Sequence, residues 1–298
     1  MHDTDVPTRD KGSSLAFITG LYVLATAAAA AWLYLGPDTE WLLLDTLLAD
    51  LVATLVVFAG SRVVHNSSCY DAYWSVIPPL LAAYWWLERD PGVDGTRYAL
   101  LALVLGLWAV RLTGNWVYAW PGLHHEDWRY LLLRDRNPSL ELPVDLLAIH
   151  VIPTCQVFLG MVPVYFASRS DRPWGWLDVV ALLVGLGAVT LQLVADTQQH
   201  RFARTKQPGQ VLDTGLWAWS RHPNYFGEIL VLVSLGLFGL SAAPDVWWWQ
   251  LVGSVAMVAM FLGASIPMLE ERSLQRRPGY QDVIDRVPML LPRPPKRS

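Results

Sequence analysis

Cysteine is nearly absent from this chain: Cys69 and Cys155 are the two among 298 residues. That rules out a disulfide framework and a cysteine metal cluster, and the pair reads as buried free thiols. Charge is scarce as well. Only 16% of the residues are charged, against about 25% in an ordinary soluble domain. The net charge of −4 offers no basic field to nucleic acid. The phosphate-binding signatures of soluble folds are missing. No Gly-x-Gly-x-x-Gly follows a strand, and there is no Gly-Lys-Ser/Thr loop and no Gly-x-Ser-x-Gly elbow. The polar, acidic start up to Lys11 is not a cleavable signal peptide, so the first apolar run is expected to remain as a helix. No internal repeat is visible. Apart from the Pro/Arg/Lys-rich tail after Pro292, there is no low-complexity linker.

What is abundant is apolar sequence. Hydrophobic residues make up 53% of the chain and mean hydropathy is +0.31. The 16 Trp and 11 Tyr suit two interfacial aromatic belts. Crossing the hydrocarbon core takes about 20 apolar residues. Spans are predicted at 15–35, 46–64, 73–87, 98–118, 145–167, 175–195, 225–243 and 248–268. The third is short and holds Pro78-Pro79. The expected fold is therefore all-α, a polytopic transmembrane helix bundle of about seven or eight spans, in one domain over 1–298. With eight spans and a cytoplasmic N-terminus, 17 of the 22 Lys and Arg fall on the cytoplasmic side, Arg9, Lys296 and Arg297 among them. Arg89, Arg97, Arg169 and Arg172 fall outside, and Arg111 lies within a span. This asymmetry predicts a multi-pass protein of the cell membrane with both termini in the cytoplasm. The inner segments 119–144, 196–224 and 269–298 are the longer ones, so the chemistry is expected on that face.

Polar residues at membrane depth need a reason. Arg111 and Asn115, at i and i+4, read either as a phosphate or carboxylate clamp or as part of an interhelical salt bridge. Asp50, near mid-span, could pair with Arg111 or donate a proton in a buried cavity. At the boundary after span two, Asn66-Ser-Ser-Cys-Tyr70-Asp71-Ala-Tyr73 is an aromatic belt with a capping Asp71, or it supplies Tyr70 or Asp71 as proton donor or substrate anchor. In His125-Glu126-Asp127-Trp128-Arg129-Tyr130, the acids and histidines lack zinc-site spacing. Arg129 between aromatics suits a nucleotide lid instead.

Asp196, His200, Arg201, Arg204 and Lys206 precede a Pro208-Gly209 turn. The cations there could bind phosphates or simply obey the positive-inside rule. Ser-Arg221-His222-Pro-Asn224-Tyr225-Phe-Gly-Glu228 opens the seventh span, with Pro223 at a helix start and Asn224 and Glu228 on one face. The paired acids Glu270-Glu271 end the last span and should meet cations such as Arg221 or Arg201, or ribose hydroxyls.

The order of NSSCYDAYWS (66–75), HEDWRY (125–130), DTQQHRFARTKQPG (196–209), SRHPNYFGE (220–228) and EER…RPGYQD (270–282) resembles the steroid 5α-reductase-like superfamily, in particular its bacterial branch. That resemblance implies a membrane NADPH-dependent reductase acting on an activated CH–CH group of a lipid-like or steroid-like substrate, with the cofactor among the helices. By motif, Asn224 looks like the nicotinamide contact, with Glu228 beside it. Lys206 stands at an Arg-type phosphate position. Arg201, Arg204 and Arg221 are further candidates, and His222 and Tyr225 line the same pocket. The family's Tyr-plus-Glu proton-donor pair has no obvious counterpart, and Arg111 stands where the Tyr would be sought. Tyr70, Asp71 or Asp50 would replace it. Arg-His-Pro-x-Tyr-x-Gly with a C-terminal Glu-Glu is also similar to isoprenylcysteine carboxyl methyltransferases and phospholipid methyltransferases, whose cofactor is S-adenosylmethionine. A non-enzymatic membrane protein whose polar cluster only locks helices together is the third reading.

Overall fold

The computed structural model describes residues 10–93 and 95–294. Among these, every regular element is helical. In chain order they are α1 (Lys11–Leu35), α2 (Leu42–Val63), α3 (Tyr73–Leu87), α4 (Gly95–Ala119), α5 (Trp128–Arg136), α6 (Pro138–Ala167), α7 (Trp176–Thr205), α8 (Pro223–Ala242), α9 (Pro244–Arg276) and α10 (Tyr280–Arg286). Seven of them, all but α3, α5 and α10, are long and apolar enough to cross a membrane. The chain is a polytopic helical membrane protein. Arg9, Lys296 and Arg297 of the charge count lie outside the described residues.

Seven of the eight predicted spans meet such a helix. The third does not: α3 has 15 residues with Pro78 and Pro79 inside it. At about 1.5 Å per residue it falls short of a ~30 Å hydrocarbon core. Two further boundaries differ. The helix expected to stop near residue 195 continues as α7 to Thr205, because no Pro or Gly intervenes before Pro208-Gly209. Asp196, His200, Arg201 and Arg204 are therefore helical residues rather than loop residues. Arg97, assigned to an outer loop, lies in the first turn of α4, 1% exposed.

α6 and α9 are composite. α6 opens with a 3₁₀ turn at Pro138–Leu140 and has wide π-type turns over Val144–Val151 before its α-helical part, Ile152–Ala167. α9 has a similar wide segment at Phe261–Ser265.

The chain divides into two compact units: one takes the chain up to Tyr84 together with Leu112–Leu159, the other Trp85–Arg111 together with the chain from Gly160. In the first unit α1 packs along α2, and Gly60 admits Leu21, whose Cδ atoms would lie 2.6 Å from a Cβ there. In the second, α7 packs along α8 and α8 along α9. A small core of Tyr280, Val283 and Val287, backed by Val211, Leu274 and Ile284, seats α10.

Candidate functional site

The first unit holds a chain of buried hydroxyls. Tyr70 Oη lies 2.8 Å from Thr154 Oγ1, which lies 2.8 Å from Thr54 Oγ1. Thr54 donates to the carbonyl of Asp50 one turn back, at 2.8 Å. Tyr73 donates to Asp50 Oδ1 at 2.7 Å. Asp50 thus takes Tyr73 as its partner rather than Arg111. Beside this chain, His150 Nδ1 meets the carbonyl of Asp145 at 2.7 Å across a π-type turn, and its Nε2 lies 3.3 Å from Ser61 Oγ.

At one end of these helices, residues 123–134 are stapled to the 3₁₀ turn Ser67–Tyr70. Asn66 donates to the carbonyls of Leu123 and His125 at 2.7 and 3.0 Å, and Ser67 N–H donates to Glu126 at 2.7 Å. Tyr130 donates to Asp71 Oδ1 at 2.6 Å. Burial pushes the Asp71 carboxyl up from 3.8 to about 6, against the opposing effect of the Tyr130 hydroxyl. Burial also pushes the Cys69 thiol up to about 12, which makes it inert. Cys155 is only half-buried. Arg129 is held by Asp127, the N-cap of α5, through Nε and Nη2 at 2.9 and 3.0 Å. No group of metal-ligating side chains forms among the described residues.

The second unit holds a buried ionic cluster contributed by α4, α7 and α8. Arg111 Nη1 lies 2.9 Å from Asp196 Oδ2, and its Nη2 lies 3.4 Å from Glu228 Oε2. Trp108 Nε1 donates to Glu228 Oε1 at 2.8 Å, and Gln192 Nε2 donates to Glu228 Oε2 at 2.6 Å. Helix periodicity assembles this set. Trp108 and Arg111 are i and i+3 on α4; Gln192 and Asp196 are i and i+4 on α7. Gly227 leaves room for the Gln192 stem, since a Cβ there would lie 2.4 Å from its Cγ. Asn224 is half-buried, and its carbonyl accepts from Gln192 at 3.4 Å.

Arg221, by contrast, belongs to a packing lock. It meets both oxygens of Glu270 at 2.7 and 3.3 Å and donates to the carbonyls of Ile284 and Val287 at 3.1 and 2.6 Å. His222 Nε2 lies 3.1 Å from the same Glu270, so of the expected alternatives Arg221, Arg201 and ribose hydroxyls, Arg221 is the cation that Glu270 meets. Tyr225 stacks on His222 and on Phe261, the latter at 4.2 Å between ring centroids. Arg201, Arg204, Lys206 and Glu271 are exposed, and His200 is half-buried.

Sequence reading thus found Arg111, Asp196 and Glu228 but not their joint partnership, and it missed Gln192, Trp108 and Tyr73. Gln192 carried a readable signal: a lone amide within an apolar run, one turn before Asp196. Tyr73 carried none beyond its place in an aromatic cluster.

The model of a family described as "Protein of unknown function (DUF1295)" matches residues 57–287. The chain belongs to that family. It is also 27% identical over 272 residues to an uncharacterized protein, C594.04c, of Schizosaccharomyces pombe, covering 83% of this chain and 78% of that protein. No solved structure matches. The family match takes in the ionic cluster and, of the hydroxyl chain, Tyr70, Tyr73 and Thr154, but not Asp50 or Thr54.

Proposed function

We propose that this chain is a membrane-embedded, NADPH-dependent reductase of an activated C=C bond in a lipid-like or steroid-like substrate, related to the steroid 5α-reductase-like group. The observation that carries the reading is the make-up of the second unit. A buried cluster of donors and acceptors is built on α4, α7 and α8, and α7 continues beyond it to the exposed Arg201 and Arg204 and its capping residue Lys206. A dinucleotide needs cations for its phosphates and a sheltered polar end for its ring amide. Within the cluster, Arg111 Nε and Gln192 Oε1 are buried without a partner among the described residues. One is a donor and the other an acceptor, which is the complement of a primary carboxamide.

In this reading Asn224, Glu228, Gln192 and Arg111 hold the ring end, and Arg201, Arg204 and Lys206 meet phosphate. When bound, NADPH supplies the hydride.

A second reading, an S-adenosylmethionine-dependent lipid methyltransferase, is favoured by one contact. His222 on Glu270 unites the Arg-His-Pro motif with the Glu-Glu pair.

Titration of the detergent-purified protein with NADPH and with adenosylmethionine separates the readings. NADPH binding by the wild type that is weakened in Asn224→Ala, with enone reduction weakened in parallel, is the expected result. Adenosylmethionine binding without NADPH binding overturns the reductase. Binding of neither leaves a protein whose polar clusters only lock helices.

A further inference from the structure

The ionic cluster of the second unit does not balance in charge. One guanidinium, Arg111, serves two carboxylates, Asp196 and Glu228, and the three side chains are only 7–8% exposed. A buried carboxylate without a full counter-charge is costly, so its charge is met by a proton or by a cation from outside.

The hydrogen bonds argue against a proton on Glu228. Trp108 Nε1 on one oxygen and Gln192 Nε2 and Arg111 Nη2 on the other are all donors. A protonated carboxyl would need an acceptor, and these three positions present hydrogens instead. The orientation of the Gln192 amide is fixed by its partners, because the atom within reach of Glu228 Oε2 and of the Asn224 carbonyl must be the nitrogen. Gln192 is 1% exposed, and its Oε1 meets no donor among the described residues. A surplus negative charge and an unmatched acceptor therefore lie in the same cluster. The first favours a positively charged ligand, and the second favours a hydrogen-bond donor on that ligand. The unmatched Arg111 Nε adds that this ligand also carries an acceptor oxygen.

We propose that the Arg111–Asp196–Glu228–Gln192 cluster is a cation-selective subsite that discriminates the charged from the neutral form of its ligand, an organic cation bearing a carbonyl or carboxylate oxygen. The proposal rests on the cofactor reading above. Its two sources are the pyridinium of oxidised NADP⁺ and the sulfonium of adenosylmethionine. Each has a neutral counterpart of nearly the same shape, NADPH and adenosylhomocysteine.

The test is equilibrium binding of all four ligands to the full chain in detergent at pH 8. Wild type is compared with Glu228→Gln and Asp196→Asn. Each substitution lets Arg111 balance the remaining carboxylate. The expected result is a loss of affinity for the cationic form about tenfold larger than the loss for its neutral counterpart, the scale of one charge contact. Selective loss for NADP⁺ identifies the pyridinium, and selective loss for adenosylmethionine the sulfonium. If NADPH and NADP⁺ both bind and the variants weaken them equally, the charge selectivity is wrong while the cofactor reading stands. If none of the four binds the wild type, both fall. Asp196→Asn keeps the test decisive should Glu228→Gln fail to fold.

Discussion

Tyr130 donates its hydroxyl to Asp71 Oδ1 at 2.6 Å, joining α5 to the turn that precedes α3. The Asp71 carboxyl titrates near 6 in the fold, against 3.8 ordinarily. The folded state therefore holds the proton more tightly than the unfolded chain. Stability contributed by this group is full below about pH 4, falls as pH rises towards 6, and levels off above that. Asp71→Asn should flatten this part of the profile. Tyr130→Phe removes the hydrogen bond that opposes the shift and should carry the upper limit of the window to higher pH. Thermal unfolding in detergent across pH 4–7 reads both, and an unchanged slope in Asp71→Asn refutes the assignment.

Arg221 links Glu270 to the carbonyls of Ile284 and Val287, and its own N–H donates to Pro288. Arg221→Ala should release the segment 280–293 before it affects anything else. Hydrogen exchange should rise there by an order of magnitude or more, since several charge-assisted bonds are lost. Protection at wild-type level in this segment would show that the small core of Tyr280, Val283 and Val287 holds it unaided.

Arg97 and Asp178 form an ion pair in which both side chains are at most 1% exposed. Arg97 also donates to the carbonyls of Arg172 and Pro173. Asp178→Ala leaves a buried guanidinium with its main partner gone. The expected cost is about 3–5 kcal/mol. Unfolding monitored by tryptophan fluorescence measures it, and a loss below about 1 kcal/mol would mean that the carbonyls suffice.

Gly185 and Gly187 lie two residues apart on α7, yet they should respond oppositely to alanine. A Cβ at 185 would lie 2.5 Å from Val104 Cγ1 and 2.6 Å from Ser234 Oγ, whereas one at 187 meets nothing within 4 Å. Gly185→Ala should destabilise by about 1–3 kcal/mol through overpacking. Gly187→Ala should stabilise by about 0.5–1 kcal/mol, because alanine restricts the unfolded chain and suits a helix interior. Midpoints that move in the same direction would contradict the packing of α7.

The spans were legible because the length of an apolar run is a local property that no distant contact alters. Arg111 was legible as a residue needing a partner for the same reason, and so were the polar ends of α7 and α8. The end of α7 was misread because exposed cations at 201–206 look like a loop, although nothing in that stretch breaks a helix. The short α3 shows the converse, since its two prolines and its length were already visible.

By itself, then, the sequence determined a helical membrane chain and which polar groups sit at costly depths. Only the tertiary structure decided who answers whom. Arg111 finds Asp196 and Glu228 at separations of 85 and 117 residues, and Arg221 finds Val287 at 66. Several carboxylates were available to each arginine on grounds of charge, and charge alone does not choose among them. The choice was made by helix packing, where Gly227 makes room for Gln192 on one side of Glu228 and Trp108 covers the other. That same packing set two carboxylates around one guanidinium.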